Sequence, residues 1–507
     1  MTPNQHYVTN HSQGRLLYLL CALVSIILFA TSMYVDDIMN NDGMDYIYAA
    51  HEYMAGDPVR ALSFRPEKYF SQQFVILSQV TSLPLKYSAF TFSVLSQIAL
   101  MCGFLAVIRA LNGSTTVQIL AIVVIASMSD FNELRPHIIR GFSFWASQLW
   151  ALWAIILFAA SARWRYLLLW ATLSTISILF RTEAIVYFIG IAALIPLVID
   201  GIARKRFLIF AGVTLGTILL IGSFHYFYKH NLDNPTFTPS AKLQMEVSKA
   251  AKMATMLNQQ KELIRETMPN EWARGTASHM LIGGLLFHAL QTLLNTTNYL
   301  LLLFVLLFSK VKLSLKKPSD KLIMGYFTIG VLIIFYTVAS RFFVTNRYVF
   351  MPALLLCIPI PFLLNQILLQ KIDMSKIRYN LLCVAMFILP FLVVIEPVVR
   401  DDDKKLYIRT AATWIGDKLP ASAKIYYNDK DIAFYVGDYS EQSFLRPTDS
   451  LVELHRQHYQ YAVIHSKRLG IKELHQPTPR KGEPQIVYSD ISPKGYTINI
   501  YKIQENP

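Results

Sequence analysis

Long uncharged, apolar blocks separated by short polar stretches run through most of the chain. Stretches without Asp, Glu, Lys or Arg cover 16–35, 88–108, 110–129, 141–162, 166–180, 184–199, 207–228, 280–309, 322–340, 348–370 and 379–395. A helix that crosses a bilayer needs about 20 mostly apolar residues, with a range of roughly 17–25. The pattern therefore predicts eleven spans. Two of them, 166–180 and 184–199, are short, which implies tilting against neighbours or lengthening by snorkelling ends. No small-residue cleavage site follows the first block, so it reads as a retained helix. The segment 69–85 is uncharged but contains Gln72, Gln73 and Pro84. As a full span it would invert every later loop, so it reads as an interfacial or re-entrant helix on the outer side. A count of thirteen spans is the alternative.

Beyond residue 399 the pattern changes. Over 407–420, Ile408, Ala411, Ala412, Ile415 and Leu419 recur on one helical face, and Pro420 ends the run. The segments 424–429, 432–437, 461–466 and 496–503 then read as strands between polar turns. The expected architecture is a polytopic α-helical membrane domain over 1–399, with long loops at 36–87 and 229–279, followed by a small soluble α/β domain over 400–507.

Composition agrees. Of 507 residues, 54% are apolar and 16% charged, against roughly 25% charged in a soluble domain. That excludes a cytosolic globular enzyme and a disordered chain. A net charge of +14 would point to nucleic acid in a soluble protein. Here the basic residues sit in short loops between apolar blocks, and no nucleic-acid partner is expected. With the N-terminus cytoplasmic, every inner loop is basic: Arg109, Arg163 with Arg165, Arg204 to Arg206, Lys310 to Lys321, then Lys371, Lys376 and Arg378. The long acidic loops and the C-terminal domain then fall outside, as the positive-inside rule requires. Cys21, Cys102, Cys357 and Cys383 all lie in apolar blocks, so neither a disulfide framework nor a zinc site is expected.

Four outer loops carry residues that could do chemistry. The first holds Asp36, Asp37, Asp42 and Asp45, with Tyr46, Ala50 and Met54 at helical spacing. It is either a solvated turn that caps a short surface helix or a functional acidic site. The second holds Arg135, His137 and Arg140 on the side where positive charge is disfavoured. Either an anionic ligand or pairing with Glu133 or the first loop's acids would account for them. At FRTEA, Arg181 and Glu183 sit near membrane depth, where ionisable groups are paired or functional, or else mark the ends of two short spans. Arg341 and Arg347 flank a tight turn, at a depth that suits a lipid phosphate or plain snorkelling. In the long outer loop, Leu243, Val247, Ala250, Ala254, Leu257, Ile264 and Met268 form a stripe broken by Lys261, which predicts an amphipathic helix.

These marks resemble the GT-C superfamily of glycosyltransferases, and within it the family 39 type, which includes protein O-mannosyltransferases and aminoarabinose transferases. The resemblance rests on Asp42, Tyr46, Ala50 and Gly56 in the first outer loop, on IIRGFSFWASQLW, on LFRTEA and on the NRY turn, and it covers most of the chain. It implies that Asp42 is the catalytic acidic residue. Many members carry Asp-Glu there, whereas this chain has Gly43; Asp45 or Asp37 would be the alternatives for the second acid. It implies that Arg347 contacts a lipid phosphate, with Arg135 and Arg140 as further candidates and with Asp45, Tyr46, Arg181 and Glu183 near the substrate.

The implied reaction moves a sugar from a polyprenyl-phosphate donor to a glycan, lipid or protein acceptor. It takes place at the outer face of a bacterial inner membrane, with inversion, and Asp42 is the general base. It requires no cofactor, and no ligand spacing among the aspartates calls for a metal. The competing readings are a transporter or flippase, or a polymerase or ligase, acting on polyprenyl-linked saccharides. A transporter would place ionisable residues along a mid-membrane path between pseudo-symmetric halves; the charges here gather on the outer side.

Overall fold

The computed structural model describes residues 11–35, 38–65, 68–214, 239–297, 317–369, 406–437, 458–469, 485–492 and 495–503, with isolated positions between 380 and 392. The helices run α1 (His11–Val35), α2 (Asn41–Met54), α3 (Pro58–Phe64), α4 (Lys68–Thr81), α5 (Leu85–Ala110), α6 (Thr115–Ala126), α7 (Ser129–Leu134), α8 (Gly141–Ser161), α9 (Trp164–Phe180) and α10 (Ala184–Val198). They continue with α11 (201–214), α12 (Pro239–Thr267), α13 (Glu271–Gly275), α14 (Ala277–Thr296), α15 (Pro318–Arg341), α16 (Asn346–Cys357) and α17 (Ile360–Leu369). The C-terminal part holds α18 (Leu406–Lys418), β1 (Ile425–Tyr427), α19 (Lys430–Val436), β2 (Tyr461–His465), β3 (Gln485–Ile491) and β4 (Thr497–Lys502).

The chain is a polytopic helical membrane protein with a small C-terminal sheet. Among the described residues, six stretches are long and apolar enough to cross a bilayer: Gln13–Tyr34, Leu85–Ala110, Gly141–Ser161, Ala277–Thr296, Pro318–Arg341 and Asn346–Leu369. Three shorter apolar helices, Thr115–Ala126, Trp164–Phe180 and Ala184–Val198, fall on predicted blocks. The predicted spans at 207–228 and 379–395 lie largely outside the described residues. Helix α4 has 14 residues, or about 21 Å at 1.5 Å per residue, too short to cross a core of about 30 Å. The predicted loop helix is α12, on which Met253, Leu257 and Ile264 form a half-buried stripe. Side chains before residue 251 lie largely outside the described set.

Two compact units divide the chain: Met1–Ile26, Leu95–Asn132 and Arg140–Val394 form one, and Ile27–Val94, Glu133–Ile139 and Ile395–Pro507 the other. The first is helical, and α8 is buried along most of its length. In a bilayer, helices gain little from hydrophobic association, because lipid tails are as apolar as leucine. Close packing and side-chain hydrogen bonds hold them instead. Trp145 packs on Phe350, centroids 4.2 Å apart. Gln148 Nε2 donates to Ser177 Oγ (2.9 Å), Trp150 Nε1 to the Ala99 carbonyl (2.9 Å) and Trp170 Nε1 to Tyr326 (3.3 Å). Each such bond contributes about 0.6 kcal/mol on average and roughly 1.7 at most.

The second unit joins residues 27–94 and 133–139 to the C-terminal part of the chain. Its sheet has the order β1-β2-β4-β3, with β1 parallel to β2 and the other pairs antiparallel. The predicted face of α18 packs on it: Ile408, Ala411, Ala412 and Ile415 meet Tyr427, Val463, Ile498 and Ile500. The strand expected at 432–437 is instead a helix, α19. Asp429 caps its start, accepting from the Asp431 N–H, and Gly437 (φ +87°) closes it in the left-handed region. Two good caps outweigh a short alternating apolar pattern. The strand β3 was not among the predicted elements.

Candidate functional site

Two charged constellations stand out, one in each unit. The first is built on α2. Asp42 lies in the first turn of that helix, where a carboxylate is favoured by the helix dipole. Asp45 and Tyr46 follow three and four residues later, on the same face. All three meet Arg65, which follows α3 in extended conformation. One guanidinium nitrogen of Arg65, Nη2, donates to Asp42 Oδ1 and lies 2.9 Å from Asp45 Oδ2. The guanidinium carbon is 5.1 Å from the Tyr46 ring centroid. Burial works against the charge on Arg65, but Asp42, Tyr46 and Asp45 outweigh it and hold its pKa above the ordinary value. Among the described residues, the buried Arg65 Nε–H finds no acceptor. Lys430 Nζ approaches Asp45 Oδ1 at 2.8 Å.

Gly43, next to Asp42, stands where a side chain has little room. Asn40 does not cap α2 with its side chain. It reaches the 133–139 segment instead: its Oδ1 accepts from the Ile138 N–H (2.8 Å) and its Nδ2 donates to the Ile138 carbonyl (3.3 Å). That double bond pair closes the space beside Gly43. A Cβ there would stand 2.8 Å from Asn40 Oδ1, 3.0 Å from Ile138 Cβ and 3.0 Å from Met39 Cγ. No glutamate fits without displacing the clamp.

The second constellation lies in the helical unit. Arg181 grips Glu183 by two nitrogens, at 2.8 and 3.4 Å, and donates to the Arg347 carbonyl at 3.2 Å. The guanidinium carbons of Arg181 and Arg341 lie 4.8 and 5.1 Å from the Tyr348 ring centroid, and Arg341 Nη1 donates to the Tyr348 hydroxyl at 2.7 Å. Arg140 Nη1 binds the Phe180 carbonyl at 3.1 Å. Burial alone would raise the Glu183 pKa; the Arg181 guanidinium, its hydrogen bond and the field of Arg140 outweigh it, and the value falls to about 2. Arg347 sits in the first turn of α16, the end of a helix that repels cations and attracts anions. Thr345 Oγ1, buried at that N-cap, finds no partner among the described residues.

No protein-family model matches the sequence, and no curated relative does. Solved structures match over nearly the whole length. ArnT from Cupriavidus metallidurans bound to undecaprenyl phosphate aligns with a TM-score of 0.55 at 11% identity, covering 95% of this chain and 97% of that one. The apo state of the same protein aligns with a TM-score of 0.56 at 11% identity over the same shares. The chain has the GT-C fold.

On this GT-C scaffold the sequence candidates separate into two groups. Asp42, Asp45 and Tyr46 converge on Arg65. Arg140, Arg181, Glu183 and Arg347 gather around the turn between α9 and α10 and the start of α16. Arg135 is fully buried, in the same unit as Asp42. Asp36 and Asp37 lie outside the described residues. Among the described residues, no three His, Cys, Asp or Glu side chains are placed to hold a metal ion. Two members were missed from sequence. Arg65 shares the stretch 36–87 with Arg60, Lys68 and Lys86, so nothing in the sequence singled it out, and Lys430, in an ordinary polar turn, carried no signal either.

Proposed function

We propose that the chain is an inverting glycosyltransferase of the outer face of a bacterial inner membrane, moving a hexose or pentose from a polyprenyl-phosphate donor to an acceptor hydroxyl on a glycan, lipid or protein. The observation that carries this reading is the pairing of Asp42 with Arg65, which leaves a buried guanidinium N–H for another anionic oxygen. Asp42 takes the acceptor proton as the acceptor oxygen attacks the anomeric carbon, and the lipid phosphate leaves with the bonding electron pair. One displacement inverts that centre, so no carboxylate nucleophile is needed. An ionised carboxylate is a weak base near its ordinary pKa of about 4, so positioning and stabilisation of the leaving phosphate must supply most of the acceleration. Arg347 and Arg140 are assigned to the lipid phosphate. Arg181, tied to Glu183, frames that arginine cluster.

ArnT, a structural neighbour, was solved with undecaprenyl phosphate, which supports a lipid-phosphate donor. The test is mass spectrometry of lipid-linked sugars and surface glycans in a strain lacking the gene. A polyprenyl-phosphate monosaccharide should accumulate and one glycan modification should vanish. The wild-type gene should restore both and Asp42→Asn should restore neither, at equal membrane abundance. Full rescue by Asp42→Asn would remove the base assignment. An unchanged lipid and glycan profile would remove the transferase reading and favour transport.

A further inference from the structure

Among the described residues, α19 brings the C-terminal part to the acidic constellation. Lys430, the first residue of α19, sets its ammonium 2.8 Å from Asp45 Oδ1 and 3.4 Å from the Asn41 carbonyl at the start of α2. One turn further on, the Tyr435 hydroxyl accepts from the Met39 N–H at 2.8 Å. Between them the Phe434 ring packs edge-on against Tyr48 of α2, centroids 5.6 Å apart. Three consecutive kinds of contact thus tie one seven-residue helix to both the entry and the body of α2.

The helix is itself fixed from behind. Asp429 caps it through Oδ1 and binds His465 Nδ1 through Oδ2 at 2.5 Å. His465 Nε2 meets the Tyr407 hydroxyl at 3.1 Å. Asp429 is 1% and His465 2% exposed. A buried, mutually bonded polar chain of this kind rigidifies what it holds. The consequence for the site is electrostatic. Asp45 lies between two cations, Arg65 and Lys430, at 2.9 and 2.8 Å. With Lys430 in place, Arg65 is shared between Asp42 and Asp45. Without it, Asp45 would keep one of its two cations, Arg65, and would draw that guanidinium away from Asp42.

We infer that Lys430 is a positioning residue of the Asp42 site: it neutralises Asp45 so that Arg65 holds Asp42 in its working orientation. The inference rests on Asp42 being the base.

Two measurements on the full-length protein test it separately. Zero-length carbodiimide coupling joins an amine to a carboxylate only when the two touch. Peptide mapping of the treated wild type should find Lys430 linked to Asp45, and Lys430→Arg should abolish the link. Absence of the link in the wild type overturns the inference whatever the activity. In the transfer assay, Lys430→Met should lower kcat on the order of tenfold or more, since a small misplacement of a reacting group is that costly. KM for the lipid donor should stay within about twofold, Lys430→Arg should recover most of the rate, and Lys502→Met, at the exposed end of β4, should behave as wild type. An unchanged kcat for Lys430→Met overturns the inference while Asp42→Asn still reports on the base. A wild type that forms the link but transfers no sugar removes the proposed function and leaves the contact standing.

Discussion

Replacing Glu183 by Gln removes one charge from the turn between α9 and α10 and leaves Arg181 without its carboxylate. The folded-state pKa of Glu183 falls from 4.5 to about 2, which at 1.36 kcal/mol per unit corresponds to about 3 kcal/mol. Its side chain is 29% exposed, so solvent screening reduces the expected contribution to about 1–2 kcal/mol. A depressed carboxylate pKa contributes stability that is fully present above the unfolded value and disappears as pH falls through the folded one. For Glu183 the window runs from 4.5 down to about 2. The assay is unfolding of the purified, detergent-solubilised protein and of Glu183→Gln by SDS titration, followed by tryptophan fluorescence at several pH values. At pH near 7 the variant should be less stable by about 1–2 kcal/mol. Below 4.5 the gap should shrink, because only the wild type loses a charge there. A gap of the same size at both ends of the window, or none near neutrality, would refute the reasoning.

Gly43→Ala should cost about 1–3 kcal/mol of stability, since the new methyl meets a doubly bonded Asn40 side chain and the Ile138 side chain; thermal unfolding reads it, and an unchanged midpoint means that the 133–139 segment yields freely. Arg347→Ala should raise the apparent KM for the lipid donor roughly tenfold or more, the loss of a charge-assisted hydrogen bond worth about 1.5–3 kcal/mol; an unchanged KM reduces Arg347 to a snorkelling residue. Arg65→Met should lower kcat by about two orders of magnitude or more by removing the guanidinium that positions Asp42, while Arg65→Lys, a point charge in place of a planar fork, should recover only part of it in the same assay.

Much of the helical unit is readable from sequence because a bilayer leaves few alternatives. Every backbone polar group must be paired within the segment, so an uncharged run of sufficient length is a helix. The same physics made arginines between apolar blocks conspicuous, and Arg140, Arg181 and Arg347 do gather around one turn. The face of α18 was legible because it repeats at helical spacing over a long enough stretch. The α19 segment was misread because seven residues are too few for periodicity to decide between helix and strand. Its flanks held the answer: an aspartate before and a glycine after are the two ends of a helix. Asp42, Asp45 and Tyr46 could be placed on one face by counting, but what they face could not. Arg65 and Lys430 reach them from 23 and 385 residues away. Contacts of that kind depend on how loops return over one another, which no local pattern encodes.

The unit that carries Asp42 is assembled from distant parts of the chain, Ile27–Val94, Glu133–Ile139 and Ile395–Pro507, and its sheet is completed by β4, which lies between β2 and β3. A ribosome releases these parts far apart in time, at about 5–20 residues per second. The aspartates of α2 are therefore made long before Lys430 of α19, which meets Asp45 in the folded chain. A chain cut short before α19 would therefore carry Asp42 and Asp45 without the lysine that meets them.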